Sequence, residues 1–241
     1  MLEKKEREKL IISADDFGKS ELANKNILGL VRLGKLDRVS VMVEGDISEK
    51  EAEELLATGV KLDIHFELIW QKRRRNLLID NTLRQAIVFL VNYLWGDWPV
   101  PENPRSGTQM VSREWKGQIE KFEKIFGRTP DGISSHEHTH FFPAYFKVAL
   151  ELAKKHSIPF IRFGKKDFLG GLNSVNLILK NMRRLSRKKF FRSKISSSDY
   201  FVSLDWVGDI DEFTKNLPEG KTELACHPER KEEFDLIIRY L

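Results

Sequence analysis

The segment Leu10-Ile11-Ile12-Ser13-Ala14-Asp15-Asp16-Phe17-Gly18 joins a short apolar run to two adjacent carboxylates. The run is too short to be the core of a helix and predicts a buried strand. At the end of such a strand, one carboxylate can bind a metal while its neighbour acts as a base. Taken alone, the pair fits a helix cap or an Asx-turn before Gly18 better than a metal site.

The same pattern of an apolar run followed by polar side chains recurs three more times. His65 ends the strand candidate at 60–64, His136 follows the candidate at 132–135, and His227 follows the candidate at 221–226. Because the carboxyl ends of parallel strands lie on one side of an α/β fold, these side chains are expected to lie close together. Four clusters in equivalent positions favour a shared site.

Strand and helix candidates alternate along the whole chain. Seven segments are predicted as strands: 10–12, 38–43, 60–64, 132–135, 159–163, 200–204 and 221–226. Helical apolar spacing separates them, including clear patterns at 111–126 and 144–155 and a further candidate at 77–95. The alternation predicts an α/β fold with a parallel sheet. No linker or repeat divides the chain, so a single domain over residues 1–241 is expected.

Composition and cysteine content indicate the class of protein. The chain has 241 residues, of which 32% are charged and 41% hydrophobic, as is typical of a soluble globular protein. No apolar run reaches the roughly eighteen residues of a membrane span, so no membrane partner is expected. Residues 1–9 contain acidic side chains and lack an apolar signal core. The single cysteine, Cys226, fits a reducing compartment and predicts a cytoplasmic protein.

The net charge of +5 is concentrated in two basic runs, at 72–75 and 183–192. Such runs can bind nucleic acid or anionic membranes. We interpret them as solvated surface, and nucleic acid is not expected as a partner. The sequence leaves a homo-oligomer open.

Three of the six histidines lie between His136 and His140. In an extended segment, alternation places His136, His138 and His140 on one face, and the i, i+4 spacing of the outer two also suits one face of a helix. In either case two of them could approach one ion. One carboxylate and two imidazoles, with positions open for water, suit Zn²⁺ or Fe²⁺ better than Mg²⁺.

The remaining polar residues at strand ends allow more than one interpretation. His65 and His227 could be ligands or catalytic groups, or ordinary histidines hydrogen-bonded to a neighbour. Arg162 could orient a carboxylate, bind substrate or be an exposed charge. Cys226 precedes the strand-end residue and is predicted to be a small buried side chain rather than a nucleophile.

Together, five motifs resemble the YdjC family of carbohydrate deacetylases, which includes the chitooligosaccharide deacetylases. The motifs are Ala14-Asp15-Asp16-Phe17-Gly18, Ile64-His65-Phe66, Ser135-His136-Glu137-His138-Thr139-His140 with Pro143, Ile161-Arg162 and Cys226-His227-Pro228. The resemblance extends from about residue 9 to residue 229. It implies a distorted (β/α) barrel, a divalent metal that is usually Mg²⁺ with Zn²⁺ as an alternative, and removal of acetyl groups from N-acetylated sugars. The expected partner is a small-molecule or oligosaccharide substrate.

The resemblance also implies roles for five site residues. By similarity the metal ligands would be Asp16, His65 and His136. The general base would be Asp15 and the general acid His227. Apart from the resemblance, we expect substrate contacts from Arg162, His138 and His140.

The chain departs from the family pattern close to these residues. Ser134 stands where the family usually has Asp, Asp63 replaces a usual Gly, and Glu67 replaces a small or amide residue. The proposed ligands and the acid–base pair remain. The departures therefore concern the hydrogen bonds behind the ligands and the choice of sugar.

Two other functions fit the same residues. The metal could serve another amide or phosphoester hydrolase on the same barrel. Alternatively, the chain could bind anionic polymers through its basic runs while the site remains silent, which predicts salt-sensitive binding and no hydrolysis.

Overall fold

The structure is a computed structural model that describes residues 4–68, 107–171 and 174–241. The helix predicted at 77–95 and the basic run at 72–75 lie outside the described residues.

The described residues contain seven strands separated by helices. The strands are β1 (Leu10–Phe17), β2 (Arg38–Val41), β3 (Lys61–Phe66), β4 (Gly132–Ser135), β5 (Asp167–Phe168), β6 (Tyr200–Ser203) and β7 (Thr222–Cys226). The α-helices are α1 (Lys4–Lys9), α2 (Glu21–Arg32), α3 (Glu49–Ala57), α4 (Gly107–Phe126), α5 (Pro143–Lys155), α6 (Ser174–Ser193), α7 (Ile210–Lys215) and α8 (Lys231–Tyr240). Short 3₁₀ turns follow β4 at His136–Phe141 and β6 at Leu204–Trp206.

All seven strands belong to one parallel sheet in the order β4-β3-β2-β1-β7-β6-β5. Two isolated parallel bridges, Ile133–Ile161 and Phe160–Ser196, link β4 to the segment before β5 and that segment to the residues before β6. The sheet therefore curls into a distorted α/β barrel, which confirms the predicted fold class. No helix in the described ranges is long and apolar enough to cross a membrane.

The strand predicted at 159–163 is the main error in the secondary structure. Only Phe160 and Ile161 make ladder contacts there, and both are isolated bridges. The named strand of this segment, β5, begins later, at Asp167. Gly164 lies between them with a φ of +65°, which interrupts the extended backbone.

Helix starts follow the local signals in the sequence. The side chain of Ser20 accepts a hydrogen bond from the backbone N–H of Ala23 and caps α2. Ser48 and Glu51 form a capping box at the start of α3. Pro143 occupies the first turn of α5, where a backbone N–H would have no acceptor within the helix, so its absence costs no hydrogen bond.

Strand residues alternate between apolar and polar, although parallel strands are commonly apolar throughout. Since successive side chains point to opposite faces, one set packs under the helices and the other fills the barrel interior. The apolar set includes five fully buried residues, Ile12, Val39, Ile64, Ile133 and Leu224. The polar set is also buried and comprises Ser13, Asp15, Arg38, Ser40, Asp63, His65, Ser134, Arg162 and Glu223.

An ion pair fills the amino end of the interior. The guanidinium of Arg38 donates to both carboxylate oxygens of Asp63, with Nε 2.7 Å from Oδ2, and lies 4.1 Å from the ring centroid of Phe160. Gly132 makes room for the pair, because a Cβ there would lie 2.5 Å from Asp63 Oδ1 and 2.7 Å from Arg38 Nη2. The pair therefore depends on glycine at this position.

Candidate metal site

A bulge near the end of β1 directs both aspartates toward the carboxyl end of the barrel. The register between β1 and β2 shifts between Ala14 and Phe17, and Asp16 has a φ of +73°. A regular strand would point adjacent side chains to opposite faces. The left-handed conformation is uncommon for a residue with a side chain and is typical of functional sites. It lets Asp15 and Asp16 serve one site.

Asp16, His65 and His136, from three separate segments, come together at this end. Asp16 Oδ1 lies 3.0 Å from His136 Nδ1 and 3.4 Å from His65 Nε2. The three ligand atoms lie within 4.8 Å of one another. Two ligands each about 2.1 Å from one ion are separated by about 3.0–3.5 Å. The spacing therefore fits a shared divalent cation.

The charge state of Asp16 also suits a cation. Burial raises the pKa of Asp16, but the neighbouring imidazoles of His136 and His65 lower it more, and the net pKa is well below the usual range. Its other oxygen, Oδ2, accepts a hydrogen bond from Lys19 Nζ at 3.0 Å, and Lys19 also pairs with Glu229 at 2.7 Å. Oδ1 is thus the oxygen directed at the two histidines. The side chain of His136 is 18% exposed, which leaves one side of the group open.

Asp15 is held from behind by Arg162. The Nη1 and Nη2 atoms of Arg162 lie 2.6 and 2.8 Å from the two carboxylate oxygens, and its Nε donates to Glu223 at 2.7 Å. Burial raises the pKa of Asp15, but the charge of Arg162 lowers it more, and the net pKa is well below the usual range. The structure therefore places Arg162 to orient a carboxylate. Its guanidinium is completely buried, which does not fit the predicted substrate contact.

The three clustered histidines have different surroundings. Glu137 and His138 have φ values of +53° and +55°, so the segment is neither an extended strand nor a regular helix. The expectation that all three share a face is wrong for this reason, and of the three only His136 joins the ligand group found among the described residues.

His140 stabilises the 3₁₀ turn at His136–Phe141 and does not face the open side of the ligand group. Its Nε2–H donates to the carbonyl of Arg162 at 2.9 Å, and its Nδ1 lies 2.6 Å from the hydroxyl of Ser135. The side chain is fully buried, and burial lowers its pKa well below the usual value. The predicted substrate contact does not fit this position.

His138 lies against aromatic side chains beside the site. Its ring centroid is 5.4 Å from that of Phe201 and 5.7 Å from that of Trp206. Burial, followed by the charge of Arg162, lowers its pKa to about 3, so the ring is neutral near neutral pH. Its Nδ1 is buried and has no hydrogen-bond partner within the described part of the chain. A substrate contact for His138 remains a prediction.

His227 has the environment of a proton donor. Its backbone N–H donates to Glu233 Oε2 at 2.7 Å, and its Nδ1 lies 3.5 Å from the same oxygen. Burial lowers the pKa of His227, but Glu233 and the carboxylates of Asp16 and Asp15 raise it more, and the net pKa lies above the ordinary value. A larger fraction of the imidazole is therefore protonated near neutral pH.

Several supporting residues are absent from the sequence prediction. Glu223 could have been noticed as an acidic residue inside an otherwise buried strand, whereas Lys19, Ser40 and Glu233 carry no local signal. Cys226 is buried with a pKa well above the usual thiol value because of that burial, which confirms the prediction of a small buried side chain.

The fold and the site define a single parallel α/β barrel with a candidate divalent-cation site at the carboxyl ends of its strands. Residues 9–238 match the family model described as YdjC-like protein. The chain therefore belongs to the YdjC family, as the sequence motifs indicate.

Two curated relatives align with this chain over most of their length. A chitooligosaccharide deacetylase of Citrobacter koseri is 26% identical over 219 residues, and one of Salmonella paratyphi B is 27% identical over 225 residues. Each alignment covers 91% of this chain and 81% of the relative. A crystal structure from Enterococcus faecalis, of a protein described as a candidate for cellobiose-phosphate cleavage, superposes with a TM-score of 0.58 at 19% identity. The superposition covers 90% of this chain and 80% of the Enterococcus faecalis chain. At this identity it is evidence for the fold and not for the function.

Proposed function

We propose that this protein is a metal-dependent carbohydrate deacetylase that hydrolyses the acetamide of N-acetylated sugars or oligosaccharides. The observation that carries the proposal is the convergence of Asp16, His65 and His136 within 4.8 Å of one another. Asp15 and His227, the residues assigned by resemblance to acid–base catalysis, lie close enough to this group to influence its charges. The names of the curated relatives support the same reaction.

The three ligands would be Asp16 through Oδ1, His65 through Nε2 and His136 through Nδ1. A divalent ion bound there supplies Lewis-acid polarisation of the acetyl carbonyl and a lowered pKa of bound water. Resemblance to the family favours Mg²⁺, whereas one carboxylate with two imidazoles favours Zn²⁺. Either ion is compatible with the proposal.

Asp15 would accept the proton of the attacking water. Arg162 keeps this carboxylate ionised and fixes its plane through two hydrogen bonds. The low pKa of Asp15 makes it a weak base, so the accepted proton would be released to solvent after the C–N bond breaks, and solvent would reprotonate His227.

His227 would donate a proton to the leaving amine. Its raised pKa keeps the donor form populated near neutral pH. General acid catalysis of this kind contributes roughly 10²–10⁴-fold to the rate. The single buried cysteine is consistent with action in the cytoplasm, which we include in the proposal.

The test is acetate release from N-acetylglucosamine oligomers by metal-stripped protein, with Mg²⁺, Zn²⁺ or no metal added back. The expected result is metal-dependent release that His136→Ala abolishes. His156→Ala is the matched control, because His156 pairs with Glu123 at 3.5 Å, outside the ligand group. Unchanged turnover in His136→Ala would remove the metal role from that residue. A parallel panel of other acylated and phosphorylated sugars separates this reaction from that of another amide or phosphoester hydrolase.

A further inference from the structure

The two ring nitrogens of His65 face different surroundings. Nε2 lies 3.4 Å from Asp16 Oδ1, on the side of the candidate ion. Nδ1 lies 2.7 Å from the hydroxyl oxygen of Ser134. Ser134 is the residue that pairs with His65 on the neighbouring strand, β4. That hydroxyl lies 2.9 Å from the hydroxyl of Ser40 on β2. Three adjacent strands thus contribute one continuous chain of hydrogen bonds.

This chain is closed to solvent. Ser40 and Ser134 are fully buried, and His65 is 2% exposed. Because solvent does not reach these hydroxyls, each of their protons must be donated to an acceptor within the protein. Buried polar groups of this kind are constrained in the direction of their hydrogen bonds.

The ligand role of His65 gives that direction. A cation bound at Nε2 needs the lone pair there, so the neutral imidazole has its proton on Nδ1. His65 Nδ1–H then donates to Ser134 Oγ, and the hydroxyl of Ser134 donates to Ser40 Oγ at 2.9 Å, with the carbonyl of Ile64 as a poorer acceptor at 3.5 Å. The 3.4 Å between Nε2 and Asp16 Oδ1 lies within the separation of about 3.0–3.5 Å expected for two ligands of one ion.

We propose that Ser134, supported by Ser40, is the positioning residue for the metal ligand His65 and fixes its Nδ1–H tautomer. The inference rests on the proposed function, since it treats His65 as a ligand. Metal-binding histidines commonly use a carboxylate or a backbone carbonyl for this purpose. Here the partner is a neutral hydroxyl chain.

The charges of the interior explain why a neutral partner is suitable. The buried guanidinium of Arg162 is already engaged by two buried carboxylates, Asp15 and Glu223. A further buried carboxylate behind His65 would lack a cationic partner of its own, which is costly in a protein interior. The hydroxyl chain orients the ring without adding charge.

The first test is calorimetric titration of metal-stripped protein with Zn²⁺ and Mg²⁺. Ser134→Ala is expected to weaken binding about 10–100-fold, the usual cost of losing a hydrogen bond behind a ligand. Ser134→Thr keeps the hydroxyl and is expected to bind as the wild type does. Ser40→Ala is expected to weaken binding less than Ser134→Ala, since the carbonyl of Ile64 remains available. Thr222→Val is the matched control, because the buried hydroxyl of Thr222 has no partner among the residues described.

The second test reads the tautomer directly. In Zn²⁺-loaded wild-type protein, ¹⁵N NMR of His65 should show a protonated Nδ1 and a metal-bound Nε2, and the assignment should persist in Ser134→Thr. In Ser134→Ala, we expect exchange broadening or a mixture of ring states.

Unchanged affinity together with an unchanged tautomer in a folded Ser134→Ala variant would overturn the proposal while leaving the metal site intact. If Ser134→Ala lacks cooperative unfolding and is therefore not properly folded, Ser40→Ala is measured in its place. Wild-type metal affinity and a wild-type His65 tautomer in Ser40→Ala would then overturn the proposal. Absence of any divalent-ion binding by the wild type would instead remove the proposed function, and the positioning role with it.

Discussion

The two ends of the barrel interior both hold buried charge, but they balance it differently. At the amino end, Arg38 and Asp63 form a two-bond ion pair covered by the ring of Phe160. At the carboxyl end, Asp16 faces the imidazoles of His65 and His136. The first pair is complete in itself. The second group presents lone pairs and a carboxylate to a common point, which is an arrangement for a cation.

Formal charges along the interior express the same difference. Arg38 and Asp63 cancel at the amino end. Beyond that pair, Arg162 binds Asp15 and Glu223, and Lys19 lies between Asp16 and Glu229. Carboxylates outnumber cationic side chains in these contacts, and a divalent cation would reduce the imbalance.

Substitution of Asp16 should have the largest effect. Asp16→Asn keeps the size of the side chain and tolerates a positive φ, but it removes the charge from the ligand group. Loss of both bound divalent metal and acetate release is expected, with the fold retained. Elemental analysis and the activity assay check this. Asp205→Asn, at an exposed carboxylate, is the control. Full metal content in Asp16→Asn would show that the two ends do not differ as we describe.

At the amino end, Arg38→Met should affect stability rather than metal binding. It leaves the carboxylate of Asp63 buried without its partner, which typically costs about 3–5 kcal/mol. Urea unfolding measures the free-energy change. Arg32→Met is the matched control, since Arg32 is 61% exposed in its pair with Glu54 and such surface pairs contribute about 0–1 kcal/mol. Equal stability of the two variants would contradict the structural role of the inner pair.

The smallest expected effect is a shift in pH dependence after Glu233→Gln. Glu233 is one of the groups that raise the pKa of His227, so its neutralisation should lower that pKa. Because the proposed acid must be protonated, activity falls as pH rises through this pKa, and the alkaline limb should move to lower pH in the variant. The same interaction stabilises the fold at low pH, and its contribution is lost as pH rises through the raised pKa.

The pH–rate profiles of wild type, Glu233→Gln and Asp205→Asn check this prediction. Asp205→Asn removes the other carboxylate that pairs with Arg230 but leaves Glu233 beside His227. If the alkaline limb of the profile does not move in Glu233→Gln, it reports the titration of a group other than His227.

Much of the fold could be predicted because the sequence encodes it locally. Apolar runs marked the strands, helical apolar spacing marked the helices, and alternation of the two elements implied a parallel sheet. The position of the site also followed, since polar residues directly after strands must meet at one end of a parallel barrel. These inferences needed only periodicity and the geometry of parallel strands.

The rest depended on backbone details and contacts distant in sequence. The positive φ angles of Asp16, Glu137 and His138 redirect neighbouring side chains, so periodicity could not assign the three clustered histidines. Arg162 meets Asp15 and Glu223 only after the barrel curls, so its burial was not visible in the strand that was expected around it.

An anomalous difference map from a crystal grown with Zn²⁺ would locate the bound ion. We expect one dominant peak within bonding distance of Asp16 Oδ1, His65 Nε2 and His136 Nδ1. A Zn²⁺ ion bound elsewhere while these three side chains remain in contact only with one another would contradict this expectation.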